Sequence, residues 1–158
     1  MKKQVKIIIF VVILLVIVIG IVTIVNNNNN NNNNNKERRV NDYCNKYGLY
    51  GNFVYNNKIE IKNIVNCSDV NLTKYKKIDG TLFLREDNGI NVMDTLEYNE
   101  DKAITIEYFL KNNSFKMDNF LDKCYSYKDN LYIEVKVETI DDKIEMYEIP
   151  ILYDGKCK

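Results

Sequence analysis

Residues 7–25 read IIIFVVILLVIVIGIVTIV, nineteen positions at which only Gly20 and Thr23 are not strongly hydrophobic. As an α-helix rising about 1.5 Å per residue this run is roughly 28 Å long, close to the hydrocarbon thickness of a bilayer. An amphipathic helix lying on a soluble core would show a polar stripe once per turn, and there is none. The run therefore predicts a transmembrane helix, which confines any folded domain to one side of a membrane. A cleaved secretory signal has a shorter apolar region, about 7 to 15 residues, ended by a small-residue site. Val18 and Gly20 form only a weak pair of that kind, and cutting there would leave an apolar IVTIV on the new terminus. The segment reads as an uncleaved signal-anchor.

Lys2, Lys3 and Lys6 stand directly beside the run, whereas Lys36, Arg38 and Arg39 follow it only after ten consecutive asparagines at 26–35. Basic residues close to the membrane hold their side in the cytoplasm. The expected organisation is a cytoplasmic amino terminus at 1–6, a single span of the cell membrane at 7–25, a poly-Asn linker at 26–35 and an extracytoplasmic domain at 36–158. The lipid bilayer is then the partner of residues 7–25. Asparagine is a poor helix former with no charge and no apolar surface, so this low-complexity tract reads as a solvated tether. Ten flexible residues span on the order of 17 Å. Expansion of a repeated codon in an AT-rich genome is a compatible origin.

Residues 36–158 suit one small domain. With the three lysines before the apolar run set aside, 19 basic side chains face 22 acidic ones, interspersed along the chain. A phosphate-binding surface needs concentrated Lys and Arg, so nucleic acid is not an expected partner. The chain has no histidine, which removes Ser-His-Asp and Cys-His catalysis, imidazole bases and nitrogen-ligated metal sites. The glycines are scattered singly, and neither REDNGIN nor IDDKIE has the ligand spacing of a calcium loop. No cofactor or metal is expected.

Cys44, Cys67, Cys124 and Cys157 all follow the apolar run, and none forms the C-x-x-C pair typical of thiolate zinc sites. Disulfides suit an exported domain of this size. Three full pairings are possible. The smaller loops favour Cys44 with Cys67 and Cys124 with Cys157, but packing of two cysteine-bearing helices would join Cys44 to Cys124 instead, and buried free thiols are the other alternative.

The local pattern predicts an α+β domain: a small antiparallel sheet of about seven strands with two short helices. In VNDYCNKYG, Val40, Tyr43, Cys44 and Tyr47 recur at helical spacing with Gly48 placed to end the helix. SFKMDNFLDKCYSY repeats the arrangement through Met117, Phe120, Leu121 and Cys124, with Ser114 as a cap. FVYNNKIEI reads as a hairpin about Asn56-Asn57. TLFLRE, INVMDTLEY and AITIEYFLK read as a meander with turns at DNG and NED, the last strand putting Ile104, Ile106, Tyr108 and Leu110 on one face. LYIEVKVETIDDKIEMYEIPIL reads as a hairpin in which Leu131, Ile133, Val135 and Val137 alternate with polar residues. A bulge is expected before Pro150, because Ile144 and Met146 change phase to Ile149 and Ile151.

These readings point to a non-catalytic, membrane-anchored binding module whose partner is a protein or cell-envelope component. Twelve tyrosines supply packing and, in part, a recognition surface. The alternative from another class is a small glycan-cleaving hydrolase using paired carboxylates among Glu97, Glu107, Glu134 and Glu138, chemistry that needs no histidine. The plan of an apolar amino-terminal helix, a sheet and cysteines enclosing the last stretch is similar to a type IV pilin subunit, which implies a structural role. The chain departs from that pattern in lacking a glycine cleavage site followed by Phe and a glutamate five residues in. Asn66, Asn71 and Asn112 begin Asn-x-Ser/Thr triplets, acceptors for glycans in a eukaryotic secretory setting.

Overall fold

The computed structural model describes residues 35–70, 72–139 and 142–157. The expected span at 7–25, its flank at 1–6 and the linker up to residue 34 lie outside the described residues. Among the described residues no helix is long and apolar enough to cross a membrane. The chain divides into two compact units, Met1–Asn41 and Asp42–Lys158.

Residues 35–47 are helical (α1), so Asn35, the last residue of the expected linker, lies in a helix. The helix stops at Gly48, whose φ of +71° glycine adopts with no Cβ to clash, and whose N–H bonds the Cys44 carbonyl at 3.0 Å. The second unit is then mostly β. Its strands are β1 (Leu49–Tyr55), β2 (Lys58–Asn66), β3 (Lys74–Glu86), β4 (Gly89–Thr105), β5 (Ser114–Lys116), β6 (Leu131–Glu138) and β7 (Ile144–Tyr153). Two short helices, α2 (Ile106–Asn112) and α3 (Cys124–Tyr127), interrupt them. All seven strands join one sheet in the order β4-β3-β6-β7-β1-β2-β5.

The sheet is mixed, not wholly antiparallel as its hairpins predict. Two antiparallel groups, β4-β3-β6-β7 and β1-β2-β5, meet through a short parallel pairing of Gly51–Phe53 with Ile151–Tyr153. Nothing local marks such a contact, because its two halves are about a hundred residues apart. The sheet also curls: the backbone N–H of Lys116 on β5 reaches the Asp94 carboxylate on β4 at 2.6 Å, although these strands are the two ends of the strand order.

The core lies on the concave side. β3 and β6 contribute Ile78, Leu82, Leu84, Leu131, Ile133, Val135 and Val137, the last four being the alternating set read from the sequence. Phe53, Phe120 and Tyr153 close one end, their ring centroids 4.9 to 5.5 Å apart. The Asn56-Asn57 turn forms as expected, with Asn57 at φ 57°. The turn at DNG does too, between β3 and β4.

Four expectations are corrected. AITIEYFLK is strand only as far as Thr105, where β4 ends: Thr105 accepts a hydrogen bond from the Tyr108 N–H, caps α2, and turns the chain helical at Ile106. Ile106, Phe109 and Leu110 are buried at helical spacing, and Tyr108 points out. NED is not a turn, because β4 runs through it; residues 100–103 bulge from a pairing that jumps from Lys77↔Asn99 to Tyr75↔Ile104. The predicted second helix shrinks to Cys124–Tyr127, since Ser114–Lys116 instead pairs with β2, and Phe115 and Met117 are buried on either side of exposed Lys116. No register shift precedes Pro150: Ile144 and Met146 simply face out, 60% and 59% exposed, while Tyr147, Ile149 and Ile151 keep one inward phase. The bulges fall elsewhere, at Asn52/Phe53 and at Leu82/Phe83.

Candidate functional surface

The convex side of β4-β3-β6-β7 is laid out by register. Crossing from β4 to β7, one row is Val92, Phe83, Tyr132 and Pro150; the next is Thr95, Thr81, Glu134 and Glu148. Below them come Glu97, Asp79, Lys136 and Met146, then Asn99, Lys77, Glu138 and Ile144. One half of the face is aromatic and apolar, and the other is charged.

The aromatic half is built around Arg85. The rings of Phe83 and Tyr132 stack with centroids 5.5 Å apart and an interplanar angle of 14°. The guanidinium sits 4.4 Å over the Tyr132 ring, a cation–π arrangement. It donates two bonds to the Glu148 carboxylate at 3.0 and 3.1 Å and one to the Tyr47 hydroxyl of α1 at 3.2 Å. Partial burial opposes the charge on Arg85, but the bonds to Tyr47 and Glu148 outweigh it and hold its pKa above the ordinary value. Burial is also the main reason the Tyr132 phenol is raised, with Tyr47 adding to it. Phe83 and Tyr132 are buried under this cover, whereas Ile90 and Val92 on β4 remain 60% and 63% exposed.

In the charged half, Lys77 and Glu138 stand 3.9 Å apart with both side chains well solvated. Lys77, Asp79, Lys136, Val137, Glu138 and Ile144 line a shallow hollow of about 50 Å³, whereas small-molecule sites enclose roughly 300 Å³ or more. The four carboxylates considered for glycan cleavage are not brought together. Glu97, Glu134 and Glu138 share the convex face, but Glu107 is on α2 and pairs with Lys111 at 3.7 Å. Among the described residues no group of three His, Cys, Asp or Glu is placed to hold a metal ion.

The cysteines pair as Cys44–Cys67 and Cys124–Cys157, with Cα separations of 5.4 and 5.5 Å. The first ties α1 to the end of β2, and the second ties α3 to the carboxyl-terminal tail. Of the twelve tyrosines only Tyr108 and Tyr125 are exposed, so the ring surface is mainly packing. Asn66 is engaged on both amide atoms by the Val70 backbone, and Asn112 donates to the Tyr108 carbonyl; Asn71 lies outside the described residues. The sequence gives no signal for the Arg85 cluster, because Arg85 and Glu148 are 63 positions apart and only the sheet register joins them. Nor does it mark Ile90 and Val92 as exposed, because apolar residues at alternate positions of a strand ordinarily face the core.

No family model, curated protein or solved structure matches this chain.

Proposed function

We propose that the chain is a single-pass membrane protein whose second unit is held outside the cell as a non-catalytic docking module for a protein or envelope component. The observation that carries this reading is the pair of disulfides in a small domain that follows a 19-residue apolar run. Disulfides persist in oxidising, extracytoplasmic compartments and are rare where thioredoxin and glutathione keep thiols reduced. An apolar run of this length supplies both the route out of the cytoplasm and the anchor.

The convex face supports docking in preference to turnover. Its carboxylates lie on an open sheet surface over a hollow of about 50 Å³, and two of its exposed apolar residues, Ile90 and Val92, flank the aromatic–arginine cluster. Aromatic and Arg side chains beside exposed aliphatics are the composition of protein-binding hot spots.

The test is crosslinking in intact cells expressing the tagged full chain, with identification of what is captured. An Ile90→Glu/Val92→Glu variant puts charge into the face without touching the core. Capture of a defined partner that falls at least tenfold in this variant supports the reading; capture unchanged by the variant, or no partner at all, contradicts it.

A further inference from the structure

The geometry points to the Cys44–Cys67 disulfide as a thiol-operated latch that holds the last turn of α1 over the Phe83–Tyr132–Arg85 surface. Three observations carry it. First, no residue of the 42–47 turn is buried: each is exposed or half-buried, whereas every strand of the second unit has at least one buried side chain. Helical backbone is marginal in water without a packed face. The stretch 42–47 is seated by the Tyr47–Tyr132 ring contact at 6.0 Å, the Arg85–Tyr47 and Tyr43–Asp129 hydrogen bonds, and the bridge itself.

Second, the two bridges differ in accessibility. Cys67 is exposed and Cys44 half-buried, whereas Cys124 is 1% exposed within the core and Cys157 is half-buried against it. Thiol–disulfide exchange requires in-line approach to a sulfur, so access separates their rates. Third, the sheet pairing beside the first bridge does not run through its sulfurs. The Leu49↔Asn66 register and the hydrogen bond from the Cys67 N–H to the Gly48 carbonyl are backbone features independent of the sulfurs.

The step balances with an external dithiol as reductant. One of its thiolates attacks Sγ of Cys67, and the Cys44 thiolate leaves and takes up a proton. The second thiol of the reductant then closes its own disulfide and releases Cys67 as a thiol, so two electrons and two protons pass from the dithiol to the cysteines. The freed turn exposes Tyr132 and Phe83 and withdraws the Tyr47 hydroxyl from Arg85. The latch needs only the bridge and the helix, whatever the domain docks.

The test uses the full chain in detergent micelles, graded dithiothreitol, alkylation mapped by mass spectrometry, and amide hydrogen exchange. Cys44 and Cys67 are expected to be alkylated at least tenfold faster than Cys124 and Cys157. Exchange across 42–47 should then rise at least tenfold while β6 keeps its protection, and a Cys44→Ser/Cys67→Ser variant should reproduce this without reductant. Equal or reversed alkylation order overturns the proposal. So does unchanged exchange at 42–47, or loss of β6 protection in either the reduced protein or the variant, since the bridge would then staple the whole fold.

Discussion

At Gly80 the core leaves no room for a side chain: an added Cβ would lie 2.9 Å from Cε1 of Phe109, a ring that is itself 1% exposed. The Phe115 Cζ lies 3.6 Å from the same point, and both rings are buried in the core. Gly80→Ala should therefore cost about 1–3 kcal/mol by overpacking, read as a lower urea midpoint at unchanged slope. Combining it with Phe109→Leu should recover part of that loss, the non-additivity expected of residues in contact; strictly additive midpoints would show that the two do not meet. A second residue contributes to stability at alkaline pH. The Tyr147 phenol is raised above its ordinary value, first by burial, then by its bonds to Glu145 at 2.7 Å and Tyr75 at 3.3 Å. The unfolded chain releases this proton near pH 10, whereas the folded protein keeps it. The stability it contributes is complete below about pH 10 and is lost as pH rises further. Tyr147→Phe should flatten that alkaline loss; an unchanged profile would remove Tyr147 as its source.

At the scale of elements, α2 depends on its cap and the tail on its bridge. Thr105→Ala removes the acceptor for the Tyr108 N–H and should cost about 1 kcal/mol, measured by denaturation. Replacing Cys124 and Cys157 together by serine opens a loop of sequence separation 33, for which chain entropy predicts a loss of about 3–4 kcal/mol. A loss below 1 kcal/mol would mean that core packing alone fixes the tail. Much of this was legible in the sequence, and for a physical reason. The hairpins at Asn56-Asn57 and at 131–153 declare themselves through period-two alternation around turns, and loop entropy favours the bridges between neighbouring cysteines. What misled was ambiguity of period. In AITIEYFLK the buried Ile104 and Ile106 match a strand, and Ile106, Phe109 and Leu110 match a helix; the cap at Thr105 decides. In SFKMDNF the same ambiguity ran the other way, because a three-residue pairing with β2 overrode a helical stripe.

At the scale of the whole molecule, the convex face could not be foreseen, because its rows are made by long-range register: Val92, Phe83, Tyr132 and Pro150 come from four strands. The proposed anchor, by contrast, is an expectation drawn entirely from residues 7–25, and the proposed function stands or falls with it. Fractionation of cells carrying a carboxyl-terminally tagged full chain, followed by protease treatment of the intact cells, addresses it directly. The chain should sediment with membranes, resist extraction by high salt and alkali, and lose its tag to external protease. Recovery in the aqueous fraction after cell breakage, or a tag shielded from protease until the cells are opened, would contradict the anchored, outward-facing arrangement.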